Sequence, residues 1–548
     1  MTGDSDGEFK DIHLAQSAWA EFLPSPQEMA RYDAQCISRG TSALKLMEQA
    51  GESVSDRVRT LSQALVSQER PAVVLCGPGN NGGDGAVVAR HLQQAGLKTL
   101  LVLASAPRLS SELITNLDRW SSLKGIVHIF GEPHGVALGS VVLCPLSEAE
   151  LRDLIERSAF VVDALLGTGQ HQSPQGGIKR ILEILLDCRR ATTPIVSIDS
   201  PTGINAETGE VYTPHVRADE TVSIELLKRG LLQYPAREAC GKLCAVSVGI
   251  TCLTDCEFSL LSRRTLSLPP RKADAHKGEA GRVWLLAGSR EMPGAAILSA
   301  LGALHAGAGL ITQIKVKGVA HGSSTAPEVI HALVADEDGD LCSASMADIE
   351  QALALADSVV IGPGLGLTER SRAFFRAALC FLIKHKLPTV VDADGLTLLA
   401  ESLGSGGPDL SRMVLTPHPG EMARLLGVEI AEVQRDRYAS ARRLAELTGA
   451  VVVLKGASSI VYGQKRGFVN MLGNPYMATA GSGDVLAGVV GTLLAQKHAA
   501  LTAAKIAVYV HARAGDLAQQ KSGGPICASE IALCVSQAIG ELISPSMV

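Results

Sequence analysis

The stretch PAVVLCGPGNNGGDG, residues 71–85, decides how the first half of the chain folds. Residues 71–76 are apolar without alternation, the pattern of a strand covered on both faces. Residues 86–95 read as a helix. The glycines between them let the backbone turn tightly and come close to a ligand. The helix behind offers free N–H groups and the positive end of its dipole, which suits a phosphate. Gly-Lys-Ser/Thr is absent, so this is not a Walker loop, and the stretch is not read as a dinucleotide fingerprint either. Asn80, Asn81 and Asp84 add three hydrogen-bonding side chains, more than a plain glycine turn requires.

Outward from this stretch the same style repeats. Residues 99–104, 159–165 and 194–198 read as further buried strands. Strand–helix alternation of this kind predicts an α/β doubly wound sheet. Asp163 ends one strand and leads into Gly167-Thr168-Gly169; Asp199 ends another and leads into Pro201-Thr202-Gly203. Ligands of open α/β sheets bind beyond the carboxyl ends of the strands. The three loops are therefore expected to converge on one crevice, although either aspartate alone also suits a helix cap or turn.

A second series begins near Gly281. Its strands are expected at 282–287, 358–361, 388–391, 413–415 and 451–454, and its helices at 295–306, 483–496 and 503–519. The polar segment 254–278, with Pro269-Pro270, separates the two series. This gives domains over 25–253 and 270–543, with no shared motif and hence no duplication. The most specific motif is ATAGSGDVLAG, residues 478–488. Gly481, Ser482 and Gly483 open a helix, and their N–H groups can cradle a phosphoryl group. Asp484 on its first turn can take a proton from a substrate hydroxyl. A Ser/Asp helix cap is the plain alternative, but two glycines beside a cap weaken a helix without functional gain. Gly362-Pro363-Gly364-Leu365-Gly366, Asp392-Ala393-Asp394, His418-Pro419-Gly420-Glu421 and Lys455-Gly456 end other strands. Lys455 would set a fixed cation near phosphates, while Asp392 and Asp394 are also ordinary caps.

Composition narrows the function classes. The chain has 548 residues, 46% of them hydrophobic, so large cores can be buried. A net charge of -6 and 3% aromatic residues exclude a basic or base-stacking nucleic-acid surface. Residues 1–10 resemble neither a secretory signal nor a transit peptide. The weakly polar run 294–311 reads as a buried helix rather than a membrane span. A cytoplasmic protein with no membrane partner is expected. Twelve cysteines without a compact framework fit a reducing compartment. The spacing Cys240, Cys244, Cys252, Cys256 superficially resembles a four-thiolate zinc site. A strand-like run over 245–250 lies between the pairs, which favours structural cysteines.

In the first half, Leu46-Met47-Glu48-Gln49-Ala50-Gly51, the loop 80–85, Asp163 with Gly167-Thr168-Gly169, and Asp199-Ser200-Pro201-Thr202-Gly203 resemble the N-terminal epimerase domain of the NAD(P)H-hydrate repair enzymes. The resemblance covers about residues 25–250. It implies a Rossmann-like sheet that interconverts the R and S forms of NADHX and NADPHX, the hydrates of NADH and NADPH. It also implies K+ near Asn81, Asp163 and Thr202, and Asp199 as the acid–base residue. The implied substrate contacts are Asn80, Asn81, Gly82, Gly83, Asp84, Gly167, Thr168 and Gly169. Thr202 stands where the family more often has Ser, and Leu227-Lys228-Arg229-Gly230 where it has Pro-Lys-Gly.

In the second half, His276-Lys277-Gly278, Gly288-Ser289, Met292-Pro293-Gly294-Ala295, the loop 362–366, His418 to Glu421, Lys455-Gly456 and Gly481 to Asp484 resemble the ribokinase-like dehydratase domain of the same family, over about residues 270–540. The resemblance implies that ADP or ATP, with Mg2+, phosphorylates the ring hydroxyl of the hydrate. Phosphate then leaves and NAD(P)H is regenerated. Ala295, Gly364, Gly366, His418 and the catalytic Asp484 are the implied hydrate contacts. Lys455, Gly456, Ala457, Ser458, Ser459 and Gly483 are the implied nucleotide contacts. Ala480 replaces a glycine common in the family. The fused chain resembles the bacterial arrangement, which favours ADP, and a homo-oligomer is expected. Two other readings compete: a ribokinase-type kinase for a vitamin precursor, carrying a non-catalytic ligand-binding first domain, and a binding scaffold. The His418–Glu421 motif and the fused domain oppose the first. The retained Asn81, Asp163 and Asp199 oppose the second.

Overall fold

The computed structural model describes residues 9, 11–14, 20–62, 70–132, 141–190, 192–250, 255–317, 326–337, 340–403 and 408–543. The chain divides into two compact units, Met1–Ser259 and Leu260–Val548. The division falls inside the polar segment 254–278.

The first unit is built on a nine-stranded sheet. From one edge its order is Ile12–His13, Lys242–Val246, Glu220–Ile224, Ile195–Ile198, Phe160–Ala164, Ala72–Cys76, Thr99–Ala104, Val127–Phe130 and Leu143–Leu146. Every neighbouring pair is parallel. Ala72–Cys76 and Phe160–Ala164 are buried along their whole length, which explains their unbroken apolar runs. From Ala72–Cys76 the chain winds outward to one edge, returns on the other side as Phe160–Ala164, and winds outward again. The strand order therefore reverses between these two neighbours. At such a switch point the loops leaving the carboxyl ends diverge and open a crevice.

The second unit repeats the principle with different parts. Its parallel strands run, in spatial order, Ile330–Val334, Leu310–Val316, Arg282–Leu286, Ser358–Ile361, Thr389–Val391, Met413–Leu415 and Val451–Leu454. Ile460–Gly463 and Arg466–Val469 extend the sheet antiparallel, an edge the sequence reading did not anticipate. Here the order reverses between Arg282–Leu286 and Ser358–Ile361. Helices Pro293–His305 and Ser482–Ala495 cross at very short range. A Cβ on Gly488 would lie 2.0 Å from the Ser299 carbonyl oxygen, and one on Gly302 would lie 2.3 Å from that of Val485. The glycines spaced along ATAGSGDVLAG thus serve helix packing as well as a loop.

One boundary needs correction. The helix expected from residue 86 starts at Asn80 and runs to Gln94. Propensity argues against helix across Gly82, Gly83 and Gly85, but close packing needs them there. A Cβ on Gly82 would lie 1.9 Å from the Gly77 carbonyl oxygen, and one on Gly85 would lie 2.5 Å from Ala164 Cβ. Tertiary contact overrides propensity. Gly82→Ala is expected to destabilise the first unit by about 1–3 kcal/mol or more, read as a lowered thermal midpoint. Gly169→Ala is the control, because a Cβ there meets nothing within 4 Å. Equal midpoints for the two variants would refute the packing argument.

Of the cysteine group, Cys252 lies outside the described residues. Cys240, Cys244 and Cys256 are buried thiols, and burial pushes Cys240 up to about 12.

Candidate active sites

At the first switch point, the loops after Ala72–Cys76 and Phe160–Ala164 touch. A Cβ on Gly77 would sit 1.7 Å from the Leu165 carbonyl oxygen. The reading of this stretch as outside the dinucleotide fingerprint needs correction, since Gly77, Gly79 and Gly82 stand at its Gly-x-Gly-x-x-Gly spacing. Gly77 and Gly82 supply the tight turn and close approach that the pattern exists for. Beside them opens a cavity of about 400 Å³, within the range of small-ligand sites. Asn80, Asn81, Asp84, Gly167, Thr168, Gly169 and Asp199 line it. Gly82 and Gly83 are buried in the helix instead, with Gly83 facing the Met47 thioether.

Asp163 lies beneath the cavity, fully buried. Its Oδ1 accepts from Thr202 Oγ1 at 2.7 Å and from the Leu165 N–H at 3.2 Å. Its Oδ2 accepts from Ser197 Oγ and from the Thr202 N–H, each at 2.9 Å. All four donors are neutral, and burial pushes this carboxyl above its ordinary value. A buried carboxylate without a cationic partner is a costly arrangement unless something else supplies the charge. Asn81 packs against Gly167, and its buried Nδ2 has no hydrogen-bond partner. Gln170, which the sequence reading missed, clips the loops together. It donates to Gly167 O at 2.8 Å and accepts from the Gly203 N–H at 2.6 Å.

Asp199 ends Ile195–Ile198 in a left-handed conformation, φ 66°. Non-glycine residues adopt it at a cost of about 1–3 kcal/mol, and such strain clusters at functional sites. Its Oδ1 accepts from the Ile224 N–H at 3.2 Å and from Lys228 Nζ. Lys228 is 1% exposed and also donates to Ile224 O at 2.8 Å and Ser223 Oγ at 3.2 Å. A fully buried lysine therefore holds the carboxylate of Asp199. The motif around Lys228 was noted only as a departure. The signal was its place in the apolar run LLKRGLL, because a lysine there must be paired when buried. Burial pushes Asp84 well above the carboxylate range, with Asp199 and Asp33 adding and Lys228 opposing.

The second site gathers at the other switch point, where the Gly288 N–H donates to Pro363 O at 2.8 Å. The loop 362–366 lies on the start of helix Pro293–His305, so a Cβ on Gly364 would meet Ala295 Cβ at 2.8 Å. Asp394 Oδ2 accepts from the Gly366 N–H at 2.9 Å, which steadies the loop. Asp392 does not cap the next helix. Its Oδ1 accepts from Lys455 Nζ at 2.6 Å, and Ala393 holds φ 50° at the turn. Lys455 Nζ lies 3.8 Å from Glu421 Oε2. A Cβ on Gly483 would lie 3.2 Å from Lys455 Nζ and 3.6 Å from Asp392 Oδ2. The start of helix Ser482–Ala495, the lysine and the aspartate therefore meet at one place.

Asp484 stands in the first turn of that helix, pushed up to about 7 by burial and then by Asp392, with Lys455 opposing. Glu421 is also pushed up to about 7 by burial, against Lys455. His418 does two things. Its Nδ1 accepts from the Gly420 and Glu421 N–H groups at 3.0 and 3.3 Å, capping helix Pro419–Leu426. Its Nε2 lies 3.4 Å from Glu421 Oε1. Two buttresses were missed. Arg437 is buried and donates to Leu454 O and Lys455 O at 3.3 and 3.2 Å, fixing the segment that carries Lys455. His511 Nε2 lies 2.9 Å from Ser482 O and 3.3 Å from its Oγ, with its ring pushed down to about 4 by burial. Both act through tertiary contacts that no local motif announces.

A family model described as NAD(P)H-hydrate dehydratase matches residues 283–536, and one described as YjeF-related protein N-terminus matches residues 43–230. The bifunctional NAD(P)H-hydrate repair enzyme of Thermofilum pendens is 36% identical over 485 residues, 87% of this chain and 88% of its own length. That of Moorella thermoacetica is 35% identical over 517 residues, 92% of this chain and 93% of its own. The ADP/ATP-dependent NAD(P)H-hydrate dehydratase of Bacillus subtilis, solved with ATP and Mg2+, is 28% identical, with a TM-score of 0.44 over 52% of this chain and 98% of its own.

Proposed function

The chain belongs to the bifunctional NAD(P)H-hydrate repair enzymes, and on that premise we propose which of its side chains carry the two reactions. The first unit holds the epimerase domain and the second the dehydratase domain. A ribokinase-type kinase with a non-catalytic first domain is the weaker reading, since the relatives span both units as repair enzymes.

In the epimerase site, the hydrated nicotinamide ring lies in the cavity lined by Asn80, Asn81, Asp84 and the loop 167–169. Asp199 exchanges a proton with its hydroxyl. The buried Lys228 orients Asp199. The chemistry of Asp163, Thr202 and the Asn81 amide fits K+: hard oxygen donors, and a buried carboxylate whose partners are all neutral. The Asn81 amide would present its oxygen once turned over, since amide O and N are assigned from partners. K+ would supply the charge that Asp163 lacks and so fix the loops after two strands.

In the dehydratase site, Lys455, Gly456, Ala457, Ser458, Ser459 and Gly483 hold ADP or ATP. Mg2+, when bound with the nucleotide, would neutralise charge on its phosphates. Ala295, Gly364, Gly366 and His418 hold the hydrate, and Asp484 takes the proton of its ring hydroxyl as that oxygen attacks phosphorus. The N–H groups that open helix Ser482–Ala495, together with Lys455, stabilise the transferring phosphoryl group. The observation that carries this reading is the meeting of Asp484, Lys455 and Gly483 at the helix start. The same reading puts the work in the cytoplasm, in keeping with the buried free thiols.

The test supplies mixed R and S NADPHX with ADP or ATP and follows NADPH absorbance. Both epimers are expected to be consumed. In Asp199→Asn only the S form should be used at speed, leaving about half of an equal mixture. Full consumption of both forms by Asp199→Asn at the unmutated rate would sink the assignment of Asp199.

A further inference from the structure

Helix Pro26–Ser38 forms one wall of the epimerase cavity. It docks through Met29, Tyr32 and Cys36 onto Leu226, Val248 and Ile250, in a cluster that Ile224 joins. That docking turns a second stripe, Pro26, Ala30, Asp33 and Ile37, toward the cavity. The spacing is that of one helix face. Asp33 is the only charged residue on that stripe. An acid in the middle of an apolar ligand-facing stripe is not there for packing. Among the described residues no hydrogen bond holds its carboxylate. The charges that face it are Lys228, Asp199 and Glu225, with Asp84 across the cavity floor.

We propose that Asp33 is the second proton-transfer group of the epimerase site, working with Asp199 on the hydroxyl of the hydrated ring. This rests on the epimerase reading above. Water adds to an enamine at the carbon next to nitrogen, so the hydroxyl-bearing carbon has a nitrogen neighbour. The Asp33 carboxylic acid gives its proton to the hydroxyl oxygen as the carbon–oxygen bond breaks. The nitrogen lone pair forms a carbon–nitrogen double bond, and water leaves. Water then attacks the other face of that carbon, the double-bond pair returns to nitrogen, and the Asp199 carboxylate takes the released proton. A proton passes from Asp199 to Asp33 through cavity water. The sum is inversion of one centre with no co-reactant. Burial raises Asp33 to about 6, with Asp199 and Glu225 adding and Lys228 opposing. That value suits a group that must both give and accept a proton near neutral pH.

The experiment takes the full chain and pure R-NADHX and measures the rate of S-NADHX formation from pH 5 to 9. It compares the unmutated protein with Asp33→Asn, Asp33→Glu and Asp199→Asn. Asp33→Asn is expected to lower kcat by about 10²–10⁴-fold, leave KM near its original value, and remove the alkaline limb of the pH profile. Asp33→Glu should restore much of the rate and retain an alkaline limb, displaced along the pH axis because the longer side chain carries its carboxyl into different surroundings. The thermal midpoint of the first unit's unfolding reports whether the variants are folded. If Asp33→Asn keeps kcat and both limbs while Asp199→Asn is inactive, the proposal is overturned and the epimerase reading stands. A rise in KM alone also overturns it. If Asp199→Asn is fully active, the reading of the site itself falls. Should Asp33→Asn fail to fold, the pH profile of Asp33→Glu decides, because a group that only packs would leave the alkaline limb unmoved.

Discussion

Asp484→Asn is expected to lower NAD(P)H formation from the S hydrate by about 10²–10⁴-fold, with conversion of R to S unchanged. Asn keeps the size and the hydrogen-bonding reach of the side chain but cannot take a proton. Burial raises Asp484 to about 7, with Asp392, Asp394 and Glu421 adding and Lys455 opposing. A carboxylate raised that far is a stronger base than an exposed one and is about half ionised at neutral pH. The sign of the pH dependence follows. The base acts in its charged form, so kcat/KM for dehydration should climb through about pH 7 and level off above it. Glu421 titrates in the same range, so the limb needs assigning. Glu421→Gln removes a charge that raises Asp484 and should move the limb to lower pH. Asp484→Asn should abolish it. Removing one of several crowded carboxylates should not lower the thermal midpoint, which separates lost chemistry from lost folding. An Asp484→Asn variant within three-fold of the unmutated rate would refute the role.

How much of this was legible in the sequence depends on the range of the interaction. Buried parallel strands were readable because sidedness shows in the residues themselves: AVVLC and FVVDA have no polar alternation. Asp163, Asp199 and Asp484 were readable as acids at the ends of such runs or beside glycines. The start of helix Asn80–Gln94 was not, because its glycines answer to Gly77, Ala164 and Met47 rather than to their neighbours in sequence. His418 was read as a ligand residue in preference to a structural one. Its cap role appears only when Nδ1 is seen to accept from Gly420 and Glu421. Lys228, Gln170, Arg437 and His511 each act across a large sequence separation. Lys228 meets Asp199 from 29 residues away and Arg437 meets Lys455 from 18. For Lys228 alone, charge inside an apolar run was a signal. It marks a residue that needs a partner without saying which partner.

Lys228→Met should have the other large effect, and it follows from that pairing. Lys228 is 1% exposed and Asp199 15%, so neither charge is well served by water. Removing one member of a buried pair leaves the other uncompensated, at a cost of about 3–5 kcal/mol. The midpoint of the first unit's unfolding should fall accordingly, and epimerisation should fall by about 10²-fold or more, since the proton-transfer group loses its orientation. Lys228→Arg should not rescue it. A planar guanidinium cannot occupy the fully buried space of an ammonium that also donates to Ile224 O and Ser223 Oγ. The decisive variant is the double one. With Asp199→Asn the buried charge is gone, so Lys228→Met in that background should cost far less stability than it does alone, while activity stays absent. Stability would thus recover without function. That outcome requires the lysine to be present for the carboxylate rather than for packing. Additive losses in the double variant would mean the reverse: Lys228 would fill space, and Asp199 would be held by its strained backbone and the Ile224 N–H alone.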